Sequence, residues 1–167
     1  MSQAQTVWSG KYLAVKKDGT WEYVSRTGGM TAVVILAEHD GRIILVEQYR
    51  VPVGKSVIEL PAGLVGDEDP DAGVEDTAIK ELEEETGFLA DRVERLGEFY
   101  SSPGMASEGF TLVRAHGPRP GGRKIEDDIR VHLVPRADIA SFIAAQREAG
   151  AAIDVRLLLL LGSTFLD

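Results

Sequence analysis

Three glutamates lie close together in a short stretch of the chain, residues 79–86, that has the composition of a helix. The stretch is rich in Leu, Lys and Glu, contains neither Pro nor Gly, and is followed by Gly87, so we predict a helix that ends there. Helical spacing puts Glu81, Glu84 and Glu85 on one face. Grouped carboxylates repel one another, and oxygen-rich clusters suit a hard cation such as Mg²⁺. The spacing indicates either a magnesium site or a solvated acidic helix face.

The residues around these glutamates favour the metal site. Lys80 to Phe88, KELEEETGF, resembles the REUxEExGU end of the Nudix box, in which U is a bulky aliphatic or aromatic residue. The preceding PAGL, residues 61–64, resembles the loop that enters that box. The chain is therefore similar to the Nudix hydrolases. The resemblance implies a loop–helix–loop that holds Mg²⁺, with Mn²⁺ as the expected substitute, and hydrolyses a nucleoside diphosphate linked to another group.

The same resemblance implies roles for individual box residues. Glu81 and Glu85 would be the principal metal ligands and act in catalysis, Glu84 would share the metal site, and Ala62 would offer its backbone carbonyl to the metal. Lys80 stands where the family has an arginine, and it keeps the charge but loses the two-pronged geometry of a guanidinium.

The spacing within the box also departs from the family pattern. Counted from Gly63, the box glutamates come three residues late, which indicates an insertion around residues 67–73. The first glutamate of the family pattern then has no assured counterpart. Its nearest candidates are Glu68 and Asp69.

Two upstream motifs resemble the ADP-ribose pyrophosphatase branch of the family. They are EQYRVPVG, residues 47–54, and ELPAGL, residues 59–64. By this resemblance Arg50 contacts the substrate and Glu59 lies near its diphosphate. Without the resemblance, Arg50 would more often be a surface or ion-paired arginine.

A loop beyond the box supports the same branch. SSPGMASE, residues 101–108, is rich in Ser, Pro and Gly and resembles the SPGxxxE segment of ADP-ribose pyrophosphatases. Pro103 follows Phe88 by fifteen residues, the spacing that marks this branch. We expect Pro103 and Gly104 to form a rigid turn on the substrate side that aims Glu108 at the metal cluster. The alternative is an ordinary surface loop with an exposed glutamate.

A second acidic loop precedes a predicted strand at residues 129–134. Its sequence, EDDIRVHLV, resembles the family loop in which an acid has been proposed to activate the attacking water. Glu126 and Asp127 are catalytic candidates in this loop, and Asp128 stays open as a third, while Glu108 of the preceding segment is a further catalytic candidate for activating the water.

The implied reaction is attack of water on one phosphorus of a diphosphate. A metal neutralises the phosphate oxygens and lowers the pKa of a bound water, while a loop acid positions or deprotonates that water. An ADP-ribose-like substrate would give a nucleoside monophosphate and a sugar phosphate. Two alternatives are a hydrolase of another nucleoside diphosphate sugar, such as GDP-mannose, and a regulator that binds nucleotide sugars without turnover.

Composition limits the partners and the compartment. With 167 residues, 44% of them hydrophobic, the chain can form one sizeable core. A net charge of −9 argues against general binding of nucleic acid or of an anionic membrane. There is no cysteine, no signal-peptide pattern, and no apolar run long enough to span a bilayer. We therefore expect a soluble cytoplasmic protein.

The implied fold is an α/β/α sandwich with a mixed β-sheet, plus a small N-terminal β-hairpin. Residues 1–28 are predicted as the hairpin, with its turn at Lys17–Gly19, and residues 29–167 as the Nudix domain. Such proteins are often homodimers with crossed N-terminal strands, in which Trp8 would pack at the contact or stack on the substrate base. Further predicted elements are a hairpin of strands 32–37 and 42–47, strands 92–100 and 110–116, and helices 136–148 and 154–165.

Overall fold

Fourteen strands and two α-helices make up the fold in the computed structural model, which describes residues 4–67, 69, 71–123, 125 and 127–158. The strands are β1 Gln5–Ser9, β2 Leu13–Asp18, β3 Trp21–Arg26, β4 Thr31–Leu36, β5 Glu38–His39, β6 Arg42–Arg50, β7 Lys55–Glu59, β8 Ala62–Val65, β9 Phe88–Leu89, β10 Arg92–Tyr100, β11 Gly109–His116, β12 Arg119–Pro120, β13 Ile129–Pro135 and β14 Ala152–Ile153. The helices are α1 Val74–Thr86 and α2 Ile139–Glu148, with 3₁₀ turns at Thr27–Gly29, Arg136–Asp138 and Val155–Leu157.

The strands form two mixed sheets and two smaller antiparallel ones. The first mixed sheet has the order β10-β11-β4-β8, in which β11 and β4 are parallel. The second has the order β13-β6-β7-β14, with β5 beside β6 and with β14 parallel to β7. The N-terminal strands form a separate antiparallel sheet, β1-β2-β3, and β12 pairs with β9.

Both faces of β4 are buried, which explains its unbroken apolar sequence. Val33 and Ile35 belong to a core cluster that contains Ala78 and Leu82 of α1. The alternate residues of β4 belong to the opposite cluster with α2. That cluster includes Val34, Leu36, Ile139 and Ile143. One helix therefore packs on each side of the strands, and the predicted α/β/α sandwich is confirmed.

The predicted hairpin of strands 32–37 and 42–47 is wrong. The two strands exist as β4 and β6, but they belong to different sheets. The neighbours of β4 are β11 and β8, so its two edges are already occupied. Only Glu38–His39 turns back to pair with β6.

The helix of the box ends where the sequence predicts. Gly87 adopts the left-handed conformation, with φ 73°, and its N–H donates to the Glu83 carbonyl at 2.9 Å. The helix begins at Val74, five residues before the predicted stretch. Glu75 and Asp76 lie in its first turn, where their charge is favourable to the helix dipole.

The segment after α2 differs from the helix predicted at 154–165. Ala152–Ile153 forms β14, and Asp154 then caps a 3₁₀ turn, Val155–Leu157, by accepting from the Arg156 N–H. Leu158, the next residue, is helical and exposed, and residues 159–165 of the predicted helix lie outside the described residues. None of the helices in the described ranges is long and apolar enough to cross a membrane.

The N-terminal sheet has three strands rather than two. β2 and β3 pair around the predicted turn, and β1, whose five residues are all exposed, pairs with the other side of β2. Val24 of β3 connects this sheet to the loop at 101–108, because it exchanges hydrogen bonds of 2.9 Å with Met105 and Ser107. The sheet is thus joined to a loop that reaches the candidate site.

Candidate active site

Two of the box glutamates lie against the backbone that enters the box. The Ala62 N–H donates to Glu85 Oε2 at 3.0 Å, and Glu85 is buried. A Cβ on Gly63 would overlap the Glu81 carboxylate, so glycine leaves room for that group. β8, which carries Ala62 and Gly63, is held by its pairing with β4. The fold therefore fixes Glu81 and Glu85 next to the start of the box.

Glu84 makes different contacts. Its Oε1 lies 2.5 Å from Arg123 Nη2 and its Oε2 lies 3.6 Å from Lys80 Nζ. In the part of the chain that the structure describes, no three His, Cys, Asp or Glu side chains are grouped closely enough to hold a metal ion. The box is thus arranged with two carboxylates at its entrance and a third one paired with cations.

The residues at the box entrance fit a divalent cation of the hard class. Glu81 and Glu85 are four residues apart on α1, and the Ala62 N–H binds Glu85 from the adjoining strand, so carboxylate oxygens and the backbone of Ala62 would be the donors. Mg²⁺ is usually held by one or two carboxylates and retains several waters, so it does not require a third acidic ligand. This donor set fits Mg²⁺ or Mn²⁺ better than a metal that prefers nitrogen or sulfur.

A cavity of about 340 Å³ adjoins Ala62 and Gly63. On its wall Arg50 Nε and Nη2 donate to the Glu59 carboxylate at 3.0 and 2.5 Å. Glu59 is 3% exposed, and its hydrogen bond raises the pKa of Arg50 although burial opposes that rise. The structure therefore brings together the two residues predicted on the substrate side. The charged side chains that line the cavity are Arg26, Arg50, Glu59, Glu108, Asp154 and Arg156.

Residues of the loop at 101–108 line different cavities. Glu108 lines the cavity with Arg50 and forms an ion pair with Arg26 of β3. Pro103 and Gly104 instead line a separate cavity of about 480 Å³, together with Trp21 of the N-terminal sheet. Their predicted role in substrate binding stays a prediction.

The other candidate acids lie at the start of β13. Asp128 is exposed and its carboxylate accepts from Gln48 Nε2 of β6 at 2.8 Å. Asp127 is also exposed, and Glu126 lies outside the described residues, as does Glu68 of the box insertion. Neither described acid of this loop is among the residues that line the cavity with Arg50.

Trp8 lies on β1 and is 58% exposed. Its indole covers Gly10, and it is not one of the residues that line the cavity with Arg50. Its predicted roles, at a dimer contact or on the substrate base, stay predictions.

Three charged residues of the cavity were missed by the sequence analysis: Arg26, Asp154 and Arg156. Asp154 entered the sequence analysis only as the first residue of a predicted helix. The pairing of β14 with β7 brings Asp154 and Arg156 to the cavity that contains Arg50 and Glu59. The bridge between β3 and the loop at 101–108 brings Arg26 there. No local pattern could have identified them, because both contacts join distant parts of the chain.

The Arg123–Glu84 pair gives a test of the local charge balance. Glu84 is 8% exposed, so Arg123→Met removes the closer partner of a buried carboxylate and should lower the free energy of unfolding by about 1 kcal/mol. The control is Arg119→Met in the nearby strand β12, which breaks an exposed pair with Asp91 and should cost less than about 0.5 kcal/mol. Urea denaturation followed by tryptophan fluorescence measures the free energy of unfolding of both variants. Equal losses of stability would contradict the assignment of Arg123 as the closer partner of buried Glu84.

Comparison with known proteins identifies the family. Residues 28–153 match the family model described as NUDIX domain. The methanol dehydrogenase activator of Bacillus methanolicus is 43% identical over 68% of this chain and 60% of its own length. The ADP-ribose pyrophosphatase of Bacillus subtilis (strain 168) is 47% identical over 46% of this chain and 40% of its own length. The chain thus spans less than two thirds of the length of either relative.

The fold has a counterpart among solved structures. A crystal structure of an ADP compounds hydrolase superposes with a TM-score of 0.72, at 22% identity, over 96% of this chain and 90% of that chain. At this identity the likeness shows the fold alone. The ADP-ribose pyrophosphatase relative agrees with the branch that the motifs predicted. Because the NUDIX match extends over most of the sequence, the chain belongs to the NUDIX family.

Proposed function

We propose that the chain is a Mg²⁺-dependent hydrolase that cleaves the diphosphate linkage of ADP-ribose or a related nucleoside diphosphate sugar. The products would be a nucleoside monophosphate and a sugar phosphate. The observation that supports this proposal best is the hydrogen bond between Glu85 and the Ala62 N–H, because Ala62 also lines the cavity that contains Arg50 and Glu59. Membership of the NUDIX family and the names of the relatives support it.

The chain's own residues would bind and orient the diphosphate. Arg50 is held on two nitrogens by Glu59, so its guanidinium meets an anionic oxygen without first losing side-chain freedom. Glu81, Glu85 and the Ala62 carbonyl would hold the divalent cation. Such a cation supplies neutralisation of phosphate oxygens and a lowered pKa of water.

An acid is also needed to position the attacking water. Among the acids predicted for this role, Glu108 is the one that lines the cavity, where Arg26 fixes its carboxylate. Glu126 and Asp127, in the loop before β13, remain the alternatives. We propose Glu108 first because a group that accepts a proton must reach the reacting water.

Two other functions use the same cavity. Its charged lining would bind the diphosphate of GDP-mannose as well, since a diphosphate site does not read the base. The second function is that of a regulator that binds nucleotide sugars without turnover. The similarity to a protein named methanol dehydrogenase activator supports this alternative.

Turnover of a substrate panel with Glu85→Gln tests the proposal. The wild type should release AMP and ribose 5-phosphate from ADP-ribose in Mg²⁺, with products identified by mass. Glu85→Gln should lower kcat by about two orders of magnitude, because it removes a carboxylate from the proposed metal site. Glu83→Gln on the same helix is the matched control and should change kcat less than about threefold.

Each alternative has its own outcome in that assay. Faster turnover of GDP-mannose than of ADP-ribose would change the substrate and keep the reaction. A wild type that binds ADP-ribose but converts no member of the panel would be a regulator. Full activity of Glu85→Gln would contradict the assignment of the metal site.

We further propose that the N-terminal sheet is the contact of a homodimer. Its strands and the connection between β1 and β2 expose five large apolar side chains, which a monomer would leave in water. These side chains are Val7, Trp8, Tyr12, Leu13 and Trp21. In such a dimer, Trp8 of the partner subunit could stack on the substrate base, which Trp8 of the same chain does not reach.

Light scattering during size-exclusion chromatography tests the dimer. The wild type should elute at twice the 18.1 kDa of one chain, and a Trp8→Asp, Trp21→Asp double variant at the mass of one chain. Leu133→Asp, an exposed apolar residue of β13, is the control and should leave the mass unchanged. A monomeric wild type, or dissociation by the control alone, would contradict this contact.

A further inference from the structure

The cavity beside the box contains three arginines, and each is paired with a carboxylate. Arg26 pairs with Glu108, Arg50 pairs with Glu59, and Arg156 pairs with Asp154. The pairs come from distant parts of the chain and meet at one wall. An arginine whose guanidinium is already held by an acid is oriented before a ligand arrives.

The third pair is fixed by the second mixed sheet. β14 runs parallel to β7, and the Asp154 N–H continues that pairing by donating to the Ile58 carbonyl at 3.0 Å. Asp154 then accepts from Arg156 three times, from the backbone N–H at 2.7 Å, from Nε at 2.8 Å and from Nη2 at 2.6 Å. This arrangement sets Arg156 beside Glu59 at the end of β7.

The guanidinium of Arg156 keeps capacity for a ligand. An arginine has five N–H donors in its side chain. The hydrogen bonds to Asp154 from Nε and Nη2 use two of them, so the remaining donors can bind an anion at the cavity wall. Burial alone would lower the pKa of Arg156, but the bond to Asp154 raises it, and the group stays cationic.

A purely structural role would explain this pair poorly. Arg156 and Asp154 are two residues apart, so their ion pair closes no long-range contact and can add little to the stability of the fold. The connection to β7 is made by the backbone of Asp154 instead. What the side chain of Arg156 adds is a cation at the cavity, above the ring of Phe110 at 5.9 Å.

The position of the pair relative to the family match is also informative. The NUDIX match ends at residue 153, so Asp154 and Arg156 lie immediately beyond it. Arg50, which the motifs assign to the substrate, lies within it and lines the same cavity. Two guanidinium groups on one wall suit a ligand with two anionic groups.

We propose that Arg156, oriented by Asp154, is a substrate-binding residue that together with Arg50 holds the diphosphate group, and that this pair of cations selects diphosphates over monophosphates. The proposal rests on the proposed function and names a residue that determines its specificity. Asp154 is the positioning residue of the pair.

Metal-free titration with inorganic pyrophosphate and inorganic phosphate tests this role without any turnover. Isothermal titration calorimetry in EDTA should show that Arg156→Met weakens pyrophosphate binding about tenfold, the effect of one charge-assisted hydrogen bond. Phosphate binding should change less, because Arg50 alone can hold one anionic group. Arg156→Lys should retain part of the affinity, since it keeps the charge.

A matched variant and a folding measurement accompany this titration. Arg95→Met removes another two-pronged arginine pair, with Glu75 on the surface, and should leave pyrophosphate binding unchanged. Thermal unfolding followed by circular dichroism checks that each variant is folded. If Arg156→Met does not fold, the comparison of Arg156→Lys with Asp154→Asn decides, because both should weaken pyrophosphate more than phosphate.

The outcomes separate this inference from the proposed function. Three results would overturn the role of Arg156. In the first, Arg156→Met leaves pyrophosphate binding unchanged; in the second, Arg95→Met weakens it equally. In the third, the wild type does not bind pyrophosphate at all. Normal ADP-ribose turnover could accompany any of these results. Conversely, binding of pyrophosphate that depends on Arg156, in a chain that hydrolyses no nucleotide sugar, would support the anion site and refute the hydrolase.

Discussion

The hydrogen bond from the Ala62 N–H to Glu85 is the interaction on which the site depends. A buried carboxylate is costly unless it is hydrogen-bonded, so this contact both satisfies Glu85 and fixes α1 against β8. β8 is in turn paired with β4, the strand that carries apolar residues into the cores on both sides. The position of the box glutamates is thus set by the same packing that stabilises the sandwich.

Charge compensation is the second constraint on the site. The chain carries a net charge of −9, yet each acid that lines the cavity is paired with an arginine. Glu84 is similarly paired with Arg123 from the loop after β12. These pairs hold the guanidinium groups in place, so a phosphate would meet cations that are already oriented.

The sequence predicted those parts of the fold that local patterns determine. The end of α1 at Gly87 and the bounds of β10 follow from helix propensity, a left-handed glycine and short-range alternation. The pairing of β4 with β6 was predicted wrongly, because apolar strands joined by a turn do not show which neighbours each strand will take. Family motifs predicted that Arg50 and Glu59 both lie on the substrate side, and the structure adds a direct hydrogen bond between these two residues, which are nine positions apart.

The rest of the site depends on long-range contacts. Helical spacing predicts the face of α1 on which Glu84 lies. It does not predict that Arg123 pairs with Glu84, because Arg123 lies in a distant loop. Arg156 reaches the cavity only because β14 joins β7, and β14 was not predicted. A short strand of two residues has too little sequence to show alternation.

Anomalous diffraction from crystals soaked in Mn²⁺ tests the central assignment most directly. The account predicts a manganese peak bounded by Glu81, Glu85 and the Ala62 carbonyl, at the edge of the cavity that contains Arg50. Glu81 also lines a different cavity together with three further acids, Asp67, Asp69 and Asp76. A peak among those acids, with none beside Ala62, would contradict the account.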